Sequence, residues 1–492
     1  MLVSETLAHF AAGLRYEDIP EAARERAKLL MLDAIGVAFA SSGYDFAAKA
    51  LAGLSRFGAG NHPVINSERK LALRDAVTMN GILVHGLDYD DTYLPGAVHM
   101  TASHVPCLLG IGAEAGADGR ELLTALAIGL ESAARIGGAG NGGFQKVGFH
   151  PTGICGAMGC SLLAGRLIGL DPEKLRMAQG IALSLASGTM QPMQDGTWTK
   201  RLHPGAAAAS GITAAALAES GFTGPGAAYE GHFGFYNIFL AELRKNGDPS
   251  LVSRDLGERW EFARSSVKLY PACHQSHAFM NAAISIAAAH SVKPDDIERV
   301  DTLVADMTRE LVCEPAEAKR RPDSSYSAQF SLPYGMAACL TRKRFGLAEI
   351  EEPTYTDPHL LDLAGKVHYA IDPNAGFPRK RTGEVIVTLK NGTQLRERNE
   401  IDPDEPAPAD AIVEKFFANA EMAIDRARGA DSRCRSRARG AAERAGAYET
   451  AGEVTPAPSI ALSLARSDVS SKLRWNVTFG VNLSEARRSP SP

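Results

Sequence analysis

Residues 22–40 read AARERAKLLMLDAIGVAFA, a nearly unbroken helical pattern that follows Asp18 and Pro20. Asp18 is a candidate helix cap, and Pro20 suits a first helical turn because no hydrogen-bond donor is needed there. Within the pattern, Gly36 would allow another helix to approach closely. This stretch predicts one long helix, and the segments that follow repeat its spacing.

The same helical spacing of apolar residues continues to about residue 265. One of its helices follows a Gly169-Leu-Asp-Pro172 turn, and the predicted helices are 70–87, 104–115, 119–136, 153–168, 172–187 and 204–220. A single all-helical domain over 1–265 fits this pattern, with a helix at about 409–427 returning to it.

The pattern changes near residue 266. After a helix predicted at about 276–290, apolar residues alternate with period two through 297–306 and again through 383–390. Asn391-Gly392 then predicts a β-hairpin, because this dipeptide favours the tight turn between two strands. A smaller α+β lid domain is therefore expected over 266–400, and the fold class is mainly α.

The last segment, 428–492, has a different composition. It lacks an apolar period, and six arginines lie among its Ala, Gly and Ser residues: Arg428, Arg433, Arg435, Arg437, Arg439 and Arg444. Such a segment is typical of a disordered basic tail, and a shifted reading frame is the alternative.

Composition excludes several classes of function. The 492 residues include 52 Lys plus Arg against 57 Asp plus Glu, a net charge of -5, which leaves no positive excess for nucleic acid. No stretch approaches the roughly 18 apolar residues that span a bilayer, and MLVSETLAHF does not resemble a cleaved signal, so a cytoplasmic protein is expected. Seven cysteines without a C-x-x-C pair favour neither disulfides nor a zinc ribbon.

The densest ionisable cluster is His85-Gly-Leu-Asp88-Tyr-Asp90-Asp91-Thr92, followed by His99 and His104. Three carboxylates in four residues cannot all be buried cheaply as anions, so some should meet solvent, a cation or a substrate hydroxyl. A solvated helix end is the simpler interpretation. A magnesium site like that of helical isoprenoid diphosphate synthases would need D-D-x-x-D, which is absent here, so no metal is expected.

A glycine-rich segment follows. Gly138, Gly140 and Gly143 match G-x-G-x-x-G, but a predicted helix precedes them where a dinucleotide site needs a strand. We therefore regard the match as accidental. The nearby His150 stands just before a predicted helix, where a lone histidine is either structural or functional.

Two further segments place cations beside histidines. Thr199-Lys200-Arg201-Leu-His203 precedes a helix start, where positive side chains could receive a carboxylate, although a solvated surface loop has the same composition. The segment from Lys268 to His277 lies at the junction of the two predicted domains, where clefts are common. Within it, Cys273 and His277 alone are too few ligands for zinc.

Taken together, these segments resemble the MmgE/PrpD family, which includes 2-methylcitrate dehydratase, cis-aconitate decarboxylase and iminodisuccinate epimerase. The resemblance covers about residues 5–425. It rests, in the family's order, on Ile19-Pro20 with Leu32-Asp33-Ala-Ile-Gly36, Asn80 to Thr92, Phe149-His150-Pro151, Thr199 to His203, Lys268 to Pro271 and Ala328 to Tyr334.

The resemblance implies a large helical domain with a smaller α+β lid, usually as a homodimer, and an active site between them without metal or organic cofactor. The catalytic residues expected on this basis are Asp88, His99, His150, Lys200, Lys268 and Tyr334. The expected substrate-binding residues are Thr92, Arg201, His203, Cys273, His274 and His277.

The roles of these residues follow from the family's chemistry, which is proton transfer or carbon–carbon cleavage beside a carboxylate. Lys200 and Lys268 would stabilise the developing negative charge. His150 and His99 are candidates for base and acid, because an unperturbed histidine pKa of about 6.5 suits either role. Asp88 could orient a histidine, Thr92 could bind a carboxylate and Tyr334 could donate a proton.

Two departures bear on which family member this chain resembles. The decarboxylase has a histidine five residues after the lid lysine, where this chain has Cys273, with His274 beside it. The dehydratase has His-Pro-Ser-Asp, where this chain continues from His99 with Met-Thr-Ala-Ser. The first hypothesis is therefore epimerisation of an iminodisuccinate-like polycarboxylate, followed by 2-methylcitrate-type dehydration and then cis-aconitate-type decarboxylation. A catalytically silent binding protein is the non-enzyme alternative.

Overall fold

The structure is a computed structural model that describes residues 1–57, 59–376, 380–402, 405–424, 426, 462–465 and 476–479. Its contacts divide the chain into two units, Met1–Arg428 and Gly429–Pro492. In the second unit the described residues form two antiparallel strands, Leu462–Ala465 and Asn476–Phe479. The rest of the predicted basic tail lies outside the described residues, so its disorder or altered frame stays a prediction.

Helices fill the N-terminal part of the first unit. They are α1 Val3–Gly13, α2 Glu21–Ser41, α3 Asp45–Leu54, α4 Leu73–His85, α5 Thr101–Ala115, α6 Gly119–Ala139, α7 Gly143–Val147, α8 Pro151–Leu167, α9 Pro172–Leu185, α10 Gln191–Asp195, α11 Leu202–Glu219 and α12 Phe235–Leu240. Short 3-10 segments lie between or after them at Tyr16–Asp18, Leu94–Gly96, Trp198–Arg201, Ala241–Asn246, Pro249–Val252 and Glu261–Arg264.

The C-terminal part of the same unit is α+β. Its strands are β3 Ile297–Val304, β4 Val367–Ile371, β5 Arg381–Leu389 and β6 Gln394–Ile401. Its α-helices are α13 His277–Ala289, α14 Asp306–Thr308, α15 Ala316–Arg320, α16 Ser325–Gln329, α17 Leu332–Arg342, α18 Glu352–Tyr355, α19 Pro358–Gly365 and, finally, α20 over 409–424. Shorter helical turns occur at His274–Ser276, Pro294–Asp296, Arg309–Cys313 and Leu347–Ile350.

The predicted mainly α fold is confirmed, and the predicted helices are present with ends displaced by about three residues or fewer. One detail of the N-terminal region differs, because a two-stranded antiparallel pair, β1 Ala59–Pro63 and β2 Lys70–Leu71, precedes α4. β1 has no buried residue and no apolar alternation, and β2 has only two residues, so the sequence pattern missed both. The proposed domain limits stay a prediction, since both parts lie in one contact unit.

Helix α8 is the centre of the helical part. All of its residues except Arg166 are buried, and α5, α6, α9 and α11 pack around it. Its sequence is small or apolar on nearly every face, as a helix surrounded by helices requires. Helix α6 is long and apolar enough to span a membrane by composition, but 83% of its apolar window is buried inside the fold.

Two glycines bring α4 and α11 into backbone contact. A Cβ atom on Gly81 would lie 2.3 Å from the Cα atom of Gly205, and one on Gly205 would lie 2.2 Å from the carbonyl oxygen of Thr78. The crossing brings the last residue of α4, His85, close to His203 in the first turn of α11. Glycine at this crossing therefore positions two histidines of the candidate site.

The sheet of the α+β part has the order β4-β3-β5-β6. Strands β3 and β4 are parallel, whereas β3–β5 and β5–β6 are antiparallel. The predicted hairpin at Asn391-Gly392 is present, and Gly392 has a φ of 83°, which glycine adopts without a steric penalty. Helix α13 packs on β5 and β6, and a Cβ atom on Gly383 of β5 would lie 2.5 Å from the backbone nitrogen of Phe279, so the start of α13 lies against the start of β5.

Helix α20 returns to the helical part. The close contact expected at Gly36 is with this helix, because a Cβ atom there would lie 3.0 Å from the ring of Phe416. At the adjacent residue, the Lys415 ammonium lies 2.7 Å from the Asp33 carboxylate of α2. Both groups are buried, so the contact couples the end of the described unit to its first long helix.

We expect Gly81→Ala to lower the free energy of unfolding by about 1–3 kcal/mol, because the added methyl group overlaps the backbone of α11. Equilibrium urea unfolding measures the change. Gly53→Ala is the matched control, since a Cβ atom there meets nothing within 4 Å. Equal unfolding free energies for the two variants would contradict a glycine-dependent crossing.

Candidate active site

The turn that follows α4 carries its acidic residues into the interior. Asp90 and Asp91 are fully buried, and Asp88 is largely buried with a left-handed φ of 49°. A β-bridge between Thr92 and Ser266 fixes the far end of the turn. The simpler interpretation, a solvated helix end, is therefore wrong, and each buried carboxylate needs its own compensation.

Asp88 is compensated by two lysines. One of its carboxylate oxygens lies 3.2 Å from the Lys200 ammonium, and the other lies 3.2 Å from that of Lys268. Burial by itself would raise the pKa of Asp88, but the two cations outweigh it and hold that pKa well below the usual range. Asp88 is consequently an anion that pairs with two cations. Lys200 lies just before α11, and Lys268 lies at the start of the α+β part.

Asp90 is compensated by two histidines. Its carboxylate lies 2.9 Å from Nδ1 of His85 and 3.5 Å from Nδ1 of His99. Burial opposes its charge, but the two imidazoles outweigh burial and lower its pKa. The other ring nitrogen of His99, Nε2, lies 3.7 Å from Asp88. His99 thus faces a carboxylate with each of its nitrogens, an arrangement that suits a proton donor.

Asp91 has a structural role. Its carboxylate accepts hydrogen bonds from the backbone N–H and the hydroxyl of Thr101 and from the hydroxyl of Ser265. Burial nevertheless raises its pKa, because these neutral donors compensate less than a cation would. Asp91 therefore ties the acidic turn to the start of α5 and to the segment that enters the α+β part.

His150 and His203 form a second pair. His150 precedes the first residue of α8, and its Nδ1 lies 3.0 Å from Nδ1 of His203. Burial, followed by the charge of Lys200, lowers the pKa of His150 well below its usual value. Burial also lowers the pKa of His203 to about 4. Both rings are therefore neutral near pH 7, one donating to the other, and a neutral imidazole can accept a proton.

A third neutral imidazole, His85, joins these groups. Its ring lies 4.7 Å from that of His99 and 5.5 Å from that of His150, measured between centroids. Burial is the main cause that lowers the pKa of His85 to about 4. We call His85, His99, His150 and His203, together with Asp88 and Asp90, the histidine–aspartate cluster.

The structure brings most predicted residues to this cluster. Thr92 lies at its edge, with its hydroxyl 3.4 Å from Nδ1 of His99. Arg201 has a different partner: its Nε donates to the carbonyl of Gly86, and its guanidinium lies over the ring of Phe46. Arg201 thereby supports the turn after α4, and no direct contact joins it to the cluster among the described residues.

The predicted residues before α13 form a neighbouring group. The Oγ atom of Ser266 lies 3.4 Å from Nε2 of His274, and the rings of His274 and His277 lie 4.9 Å apart. Nε2 of His277 lies 3.3 Å from the carbonyl of Ala272. Burial raises the pKa of Cys273, so its side chain is a neutral thiol near pH 7.

Tyr334 is not part of the cluster. It lies on α17, and its buried hydroxyl donates a hydrogen bond to the carbonyl of Glu349. The hydroxyl proton that the sequence analysis assigned to catalysis is therefore donated to a backbone carbonyl instead. Tyr326 lies closer to the site: its pKa is raised by burial and then by the charge of Asp88, and its hydroxyl lies 3.0 Å from the sulfur of Met193.

Sequence reasoning also missed the roles of His85 and Asp90. Both stood in the quoted acidic motif, five residues apart, but a spacing of five across a helix end gives no reason to pair them. Gln329 was missed as well; its amide donates to the carbonyl of Leu87 and so links the α+β part to the acidic turn. These contacts depend on the tertiary fold.

A metal ion is one conceivable occupant of the cluster. His85, Asp88, Asp90 and His99 place one donor atom each within 4.8 Å of one another. However, Asp88 already contacts two ammonium groups, and a divalent cation beside them would be repelled. The same ammonium groups suit a small anion, and carboxylates are the anions that such lysines commonly hold.

Comparison with known families agrees with this geometry. Residues 5–246 match the MmgE/PrpD N-terminal domain, and residues 270–434 match the MmgE/PrpD C-terminal domain. The chain belongs to the MmgE/PrpD family. The family predicted from the sequence motifs is therefore confirmed.

Curated relatives within the MmgE/PrpD family cover nearly the same length. A cis-aconitate decarboxylase of Aspergillus terreus is 26% identical over 455 residues, which are 87% of this chain and 91% of that protein. The cis-aconitate decarboxylases of Mus musculus and Homo sapiens are each 27% identical and cover 86% of this chain and 88% of their own length. These relatives support an MmgE/PrpD-family enzyme of the lyase type.

We expect the free energy of unfolding to fall as the pH is lowered from about 6.5, the unfolded-state value, towards about 4. Burial lowers the pKa values of His85, His104 and His203 to about 4 and that of His277 to about 3. Their stabilising contribution is complete above the unfolded pKa and is lost as the pH falls through the folded pKa. Urea unfolding at several pH values measures this dependence.

His104 allows a test away from the cluster, because it lies on α5 with Nδ1 2.7 Å from the carbonyl of Met100. In His104→Gln the unfolding free energy should fall less steeply between about pH 6.5 and pH 4, because roughly one proton fewer is taken up on unfolding. His9→Gln, at an exposed histidine, should leave the slope unchanged. Identical slopes in the wild type and His104→Gln would contradict the expected neutral, buried state of His104.

Proposed function

We propose that this MmgE/PrpD-family chain is a lyase that decarboxylates a cis-aconitate-like tricarboxylate without a metal or organic cofactor. The curated relatives support this choice, since each named above is a cis-aconitate decarboxylase. The site supports it through one observation: Asp88 joins a candidate proton donor, His99, to two cations, Lys200 and Lys268.

The chemistry needs these groups and little else. When one carboxylate of cis-aconitate leaves as CO2, the electron pair of the broken carbon–carbon bond shifts through the neighbouring double bond. Charge then develops on the carbon beside another carboxylate, where lysine ammonium groups stabilise it. A proton from His99 to that carbon completes a methylene dicarboxylate. The balance is one tricarboxylate and one proton consumed, with one dicarboxylate and one CO2 released.

The relatives, rather than the arrangement of the histidines, favour this reaction over epimerisation. An epimerase needs an acid and a base on opposite faces of one carbon. His99 and His150 lie 6.3 Å apart between ring centroids, close to the separation of an acid and a base that flank one carbon, so this distance does not distinguish the two reactions. A single acid beside cations is sufficient for decarboxylation. Epimerisation of an iminodisuccinate-like substrate stays a prediction that the relatives do not support.

The reaction is tested by incubating the purified chain with cis-aconitate and, separately, with 2-methylcitrate and iminodisuccinate, followed by proton NMR. We expect CO2 release and a methylene dicarboxylate from cis-aconitate, unchanged by EDTA. Water loss from 2-methylcitrate would favour the dehydratase, and stereoinversion with deuterium exchange would favour the epimerase. Binding without turnover of any of the three would favour a catalytically silent binding protein.

Two variants separate the proposed roles. His99→Gln should lower kcat by about 10²–10⁴-fold, because it removes the proton donor. Lys200→Met should lower kcat/KM by about 10²–10³-fold, because it removes a cation from the developing charge. His9→Gln and Lys245→Met are the controls, since both wild-type side chains are exposed. Wild-type kinetics in His99→Gln would overturn the assignment of the acid.

We further propose that the protein is a homodimer, as the family resemblance implies, and that it is cytoplasmic, as its sequence composition suggests. Multi-angle light scattering during size-exclusion chromatography measures the mass in solution, and a single 52.2 kDa species would argue against the dimer. Cell fractionation with an antibody to the chain checks the location.

A further inference from the structure

Arg381 is a buried arginine without a counter-ion in the described part of the chain. It is the first residue of β5, only 5% of its surface is exposed, and its Nη2 atom is buried without a hydrogen-bond partner. A buried guanidinium is costly unless an anion or several acceptors satisfy it. Arg396 and Arg398 on the adjacent strand show the contrast, because both pair with Glu384.

The backbone fixes where Arg381 lies. Residues two apart on a strand share a face, so Arg381 and Gly383 are on the same side of β5. A Cβ atom on Gly383 would lie 2.5 Å from the backbone nitrogen of Phe279 and 2.7 Å from the carbonyl carbon of Ala278. That face of β5 is therefore pressed against the first turn of α13. Arg381 therefore lies next to the start of α13. His274 is in the turn before this helix, and His277 is its first residue.

The electrostatics agree with this placement. After burial, the charge of Arg381 is the largest cause that lowers the pKa values of His274 and His277. Burial lowers the pKa of Arg381 itself to about 10, so it is still a cation near pH 7. The pKa of His274 also responds to Lys268 and His99. His274 is thus near both Arg381 and the histidine–aspartate cluster.

A continuous set of polar contacts connects Arg381's surroundings to the cluster. Nε2 of His274 lies 3.4 Å from the hydroxyl of Ser266, and the backbone of Ser266 pairs with that of Thr92. Two residues after Ser266, Lys268 reaches Asp88. Lys268 at Asp88 and Arg381 near His274 therefore lie towards the two ends of this set of contacts.

We propose that Arg381, together with His274, is a second carboxylate-binding subsite, which holds the carboxylate of the substrate farthest from Lys200 and Lys268. The planar guanidinium offers parallel N–H donors that match a carboxylate, and the orphaned Nη2 atom then gains an acceptor. The subsite rests on the proposed function, and it explains how the chain would prefer a tricarboxylate to a dicarboxylate. His274 is a neutral donor beside it.

The test compares binding of two saturated probes that cannot undergo the reaction, tricarballylate and glutarate, by isothermal titration calorimetry. The wild-type protein should bind tricarballylate more tightly. In Arg381→Met this preference should fall by about tenfold or more, with glutarate affinity nearly unchanged, because a charge-assisted bidentate pair is lost. Arg381→Lys should keep part of the preference for tricarballylate, since lysine retains the positive charge but lacks the two parallel N–H donors of a guanidinium.

The controls separate binding from folding. Arg299→Met removes an exposed arginine from β3 that pairs with Asp301, and it should keep the full tricarballylate preference. Thermal unfolding shows whether each variant is folded. If Arg381→Met is unfolded, Arg381→Lys is compared with the wild type instead. An unchanged preference in folded Arg381→Met or Arg381→Lys would overturn the subsite.

The outcomes are distinguishable from those for the proposed function. If the wild type binds tricarballylate through Arg381 but releases no CO2 from cis-aconitate, the subsite stands and the decarboxylase proposal fails. If cis-aconitate is decarboxylated with equal kcat/KM by the wild type and Arg381→Met, the decarboxylase stands and the subsite fails.

Discussion

The ion triad of Asp88 with Lys200 and Lys268 is the interaction on which the site depends. A carboxylate enclosed by the fold is stable as an anion only when cations or donors replace the lost water. Lys200 comes from the approach to α11, and Lys268 comes from the segment that enters the α+β part. Holding Asp88 as an anion therefore requires both parts of the unit to meet at the acidic turn. The same cations are what a substrate carboxylate would need.

A second buried pair supports this turn from the opposite side. The ammonium of Lys415, on the returning helix, contacts the Asp33 carboxylate, donates to the Tyr89 carbonyl and lies 3.7 Å from the centre of the Tyr89 ring. Burial raises the pKa of Asp33 to about 6 even though Lys415 opposes this, so desolvation exceeds the attraction within the pair. The pair is better understood as fixing the position of α20 and the turn than as a source of stability.

The comparisons establish the family membership but not the reaction. Domain matches over 5–246 and 270–434 establish the MmgE/PrpD family, whereas relatives at 26–27% identity leave the substrate to be decided by the site. Two departures favour epimerisation at the level of sequence: Cys273 where the decarboxylase has a histidine, and Met-Thr-Ala-Ser after His99 where the dehydratase has His-Pro-Ser-Asp. In the structure, His274 is the residue after Cys273 and lies near Arg381. An imidazole is therefore still present beside Cys273.

The sequence by itself determined most of the elements, because period 3.6 and period 2 are local properties. Helix α6 and the β5–β6 hairpin display them, whereas β1 and β2 do not. Through the family resemblance the sequence also predicted Asp88, His99, His150, Lys200 and Lys268 as site residues, which lie in compact motifs. Only the tertiary structure decided their partners. The His85–Asp90 pair, the His150–His203 pair and the isolation of Arg381 depend on which helices cross and on what burial excludes. The tertiary structure likewise placed the Tyr334 hydroxyl against the Glu349 carbonyl. A motif gives a residue's neighbours along the chain and not its neighbours in space.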